Sequence, residues 1–217
     1  MSSLRVRQIK AKLREMFEKH LDLSDLPSTD KERETKILTR CLAAHAIYAR
    51  TRCTEEEAAK SVWDGSDDNG LDAVLYDASE SRVVIVQAKW INAGSGEPEA
   101  KDVAAFTNGV RDLVEGNVDN FATRLRLRMN SVTEALLVPG TTLEIVLTTT
   151  GSSTLARHSN TNLERLLDEL NEPLDEEPIA QQIVLGLDEI YRSLASSTNS
   201  DGISITANLQ EWSVLSQ

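Results

Sequence analysis

Apolar residues near the start of the chain recur at three- and four-residue intervals. Val6, Ile9, Leu13 and Phe17 fall on one stripe and predict a helix over residues 4–20. After a loop over 21–27, Thr29 and Glu32 have the spacing of a capping box. Ile37, Leu38, Cys41, Leu42 and Ile47 then carry a helix to about Ala49. Thr54 and Glu57 repeat the box and open a short helix to about Val62. From there the period changes to two: strands are expected over 71–77 and 82–88, divided by a polar break at 77–81, as in a hairpin. A Gly/Ser loop at 92–97 follows, and Pro98 is placed to start a helix bearing Val103, Phe106, Val110 and Leu113. A further helix over about 118–136 carries Val118, Phe121, Leu125 and Val132 and is stopped by Pro139-Gly140. Residues 143–149 are β-branched and apolar enough for a central strand. Thr161 with Glu164 would cap a helix holding Leu163, Leu166, Leu167 and Leu170. An acidic turn at 175–178 is followed by 179–185, a strand or a helix, and by a helix over 187–193. Ile203, Ile205, Ala207 and Leu209 alternate as an edge strand would.

A hairpin followed by helices alternating with strands predicts the α/β class, a mixed β-sheet flanked by helices on both faces. The chain of 217 residues reads as a single domain: N-terminal helices 1–62, a hairpin core 63–150 and a C-terminal α/β extension 151–217. Apolar residues make up 40% and charged residues 27%, as in a globular chain with a sizeable core. No apolar run approaches the ~20 residues of a membrane helix, and the basic N-terminus lacks the apolar stretch of a signal peptide. The expectation is a cytoplasmic protein with no membrane partner, in which Cys41 and Cys53 are reduced.

The formal net charge of −12 changes the functional picture. Affinity for nucleic acid comes largely from Lys and Arg, so so acidic a chain has to concentrate its cations, borrow them or bind weakly. Arg124, Arg126 and Arg128, with Arg111 nearby, are the candidate stretch; a solvated helix face is the competing reading.

The chemistry concentrates in the hairpin. Residues 67–72 read Asp-Asp-Asn-Gly-Leu-Asp, and the second strand runs into Gln87-Ala88-Lys89-Trp90. In an antiparallel pair the start of one strand lies beside the end of the next, which brings Asp72 to Gln87 and Lys89. Gln87 and Lys89 share a face because the strand period is two. An acid, a neutral oxygen ligand and a cation on one rim suit Mg²⁺-assisted attack on a phosphodiester. Asp72 would hold the metal, Gln87 would add its amide oxygen and Lys89 would stabilise the developing charge. The ordinary readings are a turn-terminating Asp72, a sheet-bonded Gln87 and a strand-end Lys89. Phosphate-loop, nucleophile-elbow and zinc-ligand spacings do not occur.

Gly70-Leu71-Asp72 followed by Gln87-Ala88-Lys89-Trp90 resembles the PD-(D/E)xK nuclease superfamily, in its Mrr-like Gln-x-Lys variant. The pattern is closest to the N-terminal domain of AIPR-type abortive phage infection proteins. The resemblance implies a restriction-endonuclease-like fold, Mg²⁺ or Mn²⁺ as cofactor, and DNA hydrolysis in defence against phage or foreign DNA. It also implies a homodimer where both strands are cut, and either a C-terminal domain of the same protein beyond this one or a naturally short protein. Most members carry Asp or Glu where this chain has Gln87, so a compensating carboxylate is expected. Members often have a glutamate on the preceding helix, and Glu34 fits by sharing the stripe of Ile37, Leu38 and Cys41. Glu32 is the alternative, already occupied by its capping box. Asp67 or Asp68 would add a second carboxylate, although turn chemistry alone explains both. Trp63 and Trp90 would stack on bases or pack in the core. His45 lies three turns beyond Glu34, about 16 Å away, and reads as a core histidine. The alternative function is an inactive nuclease-fold module that binds a protein partner or nucleic acid, Gln87 marking lost metal affinity.

Overall fold

The computed structural model describes residues 3–63, 65, 68–171 and 178–198. The expected strand over 203–209, the turn at 175–177 and Asp67 lie outside the described residues. Two amphipathic helices open the chain: α1 (Leu4–Phe17), prolonged by a 3₁₀ turn at Glu18–His20, and α2 (Arg33–Arg50). Thr29 and Glu32 form no capping box. Glu32 is itself the N-cap residue, without a side-chain cap, and Asp30 Oδ1 accepts from its N–H at 2.8 Å. The box at Thr54 and Glu57 is present and starts α3 (Glu55–Lys60).

Strands β1 (Ala73–Asp77) and β2 (Arg82–Lys89) form the hairpin, pairing antiparallel from Ala73 opposite Val86 to Asp77 opposite Arg82. At the turn Asp77 Oδ1 accepts from the N–H and Oγ of Ser79 at 3.1 and 2.6 Å. Helices α4 (Ala100–Glu115) and α5 (Thr123–Leu136) lead to β3 (Thr142–Thr149), which lies parallel to β2. Helix α6 (Arg157–Leu170) leads to β4 (Ala180–Leu185), parallel to β3, and α7 (Leu187–Thr198) follows. Thr161 is not a cap, because α6 begins four residues earlier. The sheet order is β1-β2-β3-β4, so the two most apolar strands are the central ones.

Alternation along β2 divides the core. Val84, Val86 and Ala88 pack with α1, α2 and α7, while Val83 and Ile85 pack with α4, α5 and α6. This is a mixed α/β fold with helices on both faces of the sheet. His45 is buried on the α1/α2 side at 3.3 Å from Ser193 Oγ, and burial pushes its pKa down to about 4. Both cysteines are free thiols. Near the lower end of the sheet the fully buried Glu144 of β3 is gripped by Arg50, at 2.5 and 3.1 Å, and by Arg82 at 2.9 Å.

Two glycines press the loop before β1 onto α4. A Cβ on Gly109 would stand 2.1 Å from the Asn69 carbonyl oxygen. At Gly70, where φ is +77°, a Cβ would stand 2.9 Å from the Ala105 carbonyl carbon.

Candidate active site

Asp68 builds the turn that delivers Asp72. Its Oδ1 accepts from the Gly70 N–H at 2.9 Å and its Oδ2 from the Gly65 N–H at 3.1 Å, a turn role and not a ligand role. The Asp72 N–H then donates to the Val86 carbonyl at 2.9 Å, and its carbonyl accepts from the Trp63 N–H at 2.7 Å. Continuing the β1–β2 register by one residue places Asp72 opposite Gln87, so their side chains leave the same face of the sheet. The Asp72 carboxylate is buried, and its Oδ2 accepts from the Ala88 N–H at 2.6 Å.

Gln87 is equally buried. Its Nε2 donates to the Asp102 carbonyl at 3.0 Å, which settles the amide orientation, since only the NH₂ end can donate to a carbonyl. Its Oε1 is consequently a buried acceptor with no hydrogen-bond partner. Lys89, half exposed, places Nζ 2.7 Å from Asp102 Oδ2. Asp72, Gln87, Lys89 and Asp102 thus line one depression of about 250 Å³, closed on its other side by Glu32, Lys36 and Thr39 of α2.

Glu34 is not among them. Its side chain is 62% exposed, paired with Lys10 and 3.8 Å from Arg14, and the Lys10 ammonium holds its carboxyl below the usual range. The Glu34 side chain turns to Lys10 and Arg14 of α1, not to the sheet. From Ile37 to Ile47 α2 is buried on nearly every side, so an apolar stripe on it does not single out one neighbour. Glu32, free of the capping box, is the α2 carboxylate that borders the depression. Asp102 was missed by sequence reasoning. An acid in the first turn of a helix is ordinary, favoured there by the helix dipole, and this hid it.

The unpartnered Gln87 Oε1 is an acceptor that Mg²⁺ or Mn²⁺ would take. Two carboxylates and an amide oxygen are hard ligands that fit these cations and offer no nitrogen or sulfur to zinc. Among the described residues no group of three or more His, Cys, Asp and Glu could hold a metal. Any cation here would therefore rest on Asp72, the Gln87 amide and at most one further carboxylate.

Trp63 and Trp90 are core residues, 1% and 5% exposed. Of the arginines, Arg111 pairs with Glu169 at 2.6 Å and Arg126 with Asp119 at 3.3 Å. Arg124 and Arg128 instead donate to the carbonyls of Trp63 and Val62. No helix among the described residues is long and apolar enough to cross a membrane. Comparison of the chain with protein-family models, curated proteins and solved structures finds no match.

Proposed function

We propose that the protein is a metal-dependent endonuclease of the PD-(D/E)xK type, hydrolysing DNA phosphodiesters in defence against phage or foreign DNA. The observation that carries this reading is the unpartnered Gln87 Oε1, buried on the same rim as the Asp72 carboxylate and the Lys89 ammonium. The defence role comes only from the sequence resemblance.

Asp72 and Gln87 would hold Mg²⁺ or Mn²⁺, with Asp102 beside them. A bound cation of this kind would lower the pKa of a coordinated water and offset charge on the phosphate. Asp72 is held by the Ala88 N–H, so one oxygen is anchored to the sheet and the carboxylate cannot swing away. Lys89 supplies positive charge where the phosphorane oxygens gain negative charge. Asp102 holds that ammonium, and a substrate phosphate would compete with Asp102 for it.

The inactive binding module remains the second reading. It is favoured by Glu34, which pairs with Lys10 away from the rim and leaves a neutral amide as the second strand ligand. Plasmid nicking with Mn²⁺ over a salt series separates the two. Wild type should nick, Lys89→Ala should fold normally and slow by ~10²-fold or more, and Asp72→Asn should not cleave. Equal nicking by wild type and Lys89→Ala would refute the assignment. A wild type that stays inactive would leave the binding module.

A further inference from the structure

The two edges of the sheet differ. Along β1 the chain covers itself: the Trp63 N–H donates to the Asp72 carbonyl at 2.7 Å and the Val74 N–H to the Ser61 carbonyl at 3.1 Å. Along β4 it does so, among the described residues, at one position. In the parallel register with β3, Ile179, Gln181, Ile183 and Leu185 turn their backbone groups inward, and Ala180, Gln182 and Val184 turn theirs outward. The Asn171 side chain takes the first outward position, accepting from the Ala180 N–H at 2.8 Å and donating to its carbonyl at 3.0 Å. Among the described residues nothing bonds to the outward N–H and C=O groups of Gln182 and Val184.

Natural sheets blunt such an edge with a charge, a proline or a bulge. β4 reads Ala-Gln-Gln-Ile-Val-Leu and pairs with β3 without interruption, so it has none of these. In a chain of net charge −12 that neutrality selects a partner. Two copies repel each other in general, but no like charges meet where β4 lies against β4. The antiparallel pairing is self-complementary about a two-fold axis at Ile183. Gln182 then faces Val184 of the partner subunit, Val184 faces the partner's Gln182, and each pair exchanges N–H and C=O. A strand following α7 directly does not compete for this place. Helices α4, α5 and α6 cover one face of the sheet and α7 the other. Parallel crossovers share one hand, so if those from β2 to β4 run outward, one through α7 leads back towards β3, where the place is taken.

We propose that β4 is the surface through which two copies of the chain associate, joining their sheets edge to edge. This does not rest on the nuclease reading. Because β2, β3 and β4 are parallel, an antiparallel β4 pair points the two copies of β2 in opposite directions. The two candidate rims then lie at opposite ends of the joined sheet and not in one cleft.

Sedimentation velocity of the full chain over a concentration series is the test. Wild type should pass from monomer to dimer as concentration rises. Val184→Pro removes an outward donor and leaves the β3–β4 bonds in place, and Val184→Lys sets a charge against the partner's Gln182. Each substitution acts twice by symmetry, so the dissociation constant should rise ~10-fold or more. Melting and circular dichroism check that the variants fold. An equal mixture of Val184→Lys and Gln182→Glu should associate more tightly than either alone, because lysine then faces glutamate. Folding defects would give no such rescue, and its absence in folded variants would overturn the pairing. A wild type that stays monomeric, or a dimer that both Val184 variants leave unchanged, would overturn the proposal. In a monomer, slow hydrogen exchange at the Val184 amide would assign the edge to the chain's own later residues instead.

Discussion

The bond that Asp72 makes and the metal role proposed for it are separable, and a pair of substitutions tells them apart. Its Oδ2 accepts from the buried Ala88 N–H at 2.6 Å, a structural bond, and its negative charge is what a divalent cation would use. Asp72→Asn keeps an acceptor of the same shape and removes the charge. Asp72→Ala removes both and strands a buried donor, which costs ~1–3 kcal/mol. For a domain of this length that is a fall in melting temperature of roughly 2–12 °C. Without metal, Asp72→Asn should therefore melt near wild type and Asp72→Ala clearly lower. Mg²⁺ at ten times its dissociation constant would stabilise by about 1.4 kcal/mol, a rise of roughly 3–6 °C. That rise should appear in wild type and vanish in Asp72→Asn, read by differential scanning fluorimetry with ionic strength held by KCl. A wild type indifferent to 10 mM Mg²⁺ and Mn²⁺, or an Asp72→Asn variant with the full rise, would refute the assignment of this carboxylate.

Three further outcomes follow from burial and charge. His45 stays neutral in the fold until about pH 4, whereas the unfolded chain protonates it near 6.5. Its folded pKa is depressed, so it costs nothing above pH 6.5, and stability is lost as pH falls from 6.5 to 4, by roughly 3 kcal/mol in all. Urea melts at pH 7 and pH 5 should show a smaller drop for His45→Gln than for wild type; equal drops would place the titration elsewhere. Glu144→Gln leaves the part-buried Arg50 and Arg82 facing a neutral amide and should cost ~1–3 kcal/mol by chemical denaturation. Glu34→Gln removes only an exposed pair, so it should change stability by less than ~1 kcal/mol and leave any Mg²⁺ response intact.

The hairpin was legible because two kinds of information agreed. Period-two apolar residues on either side of a polar break predict both strands, and antiparallel geometry then carries Asp72 to Gln87 and Lys89. The strand over 143–149 was legible as central because it is apolar on both faces. Capping was read well where the box is local and complete, at Thr54 and Glu57. At Thr29 the same spacing misled, because Asp30 reaches the Glu32 N–H first. What escaped was whatever depends on which neighbour a helix face meets. Glu34 sits on a buried-looking stripe of α2, but that helix touches α1 as well as the sheet, and periodicity cannot choose between them. Asp102 is contributed from another element, and its position in a first helical turn has a local explanation that conceals the long-range one.

The glycine contacts have a consequence for recognition. Gly70 and Gly109 let the loop that delivers Asp72 lie backbone to backbone on α4, the helix that carries Asp102. Loop and helix therefore form a single wall, with the spacing of the two acids set when the chain folds. A cation or a phosphate arriving there meets donors already ordered, so its binding loses little entropy to arranging that wall.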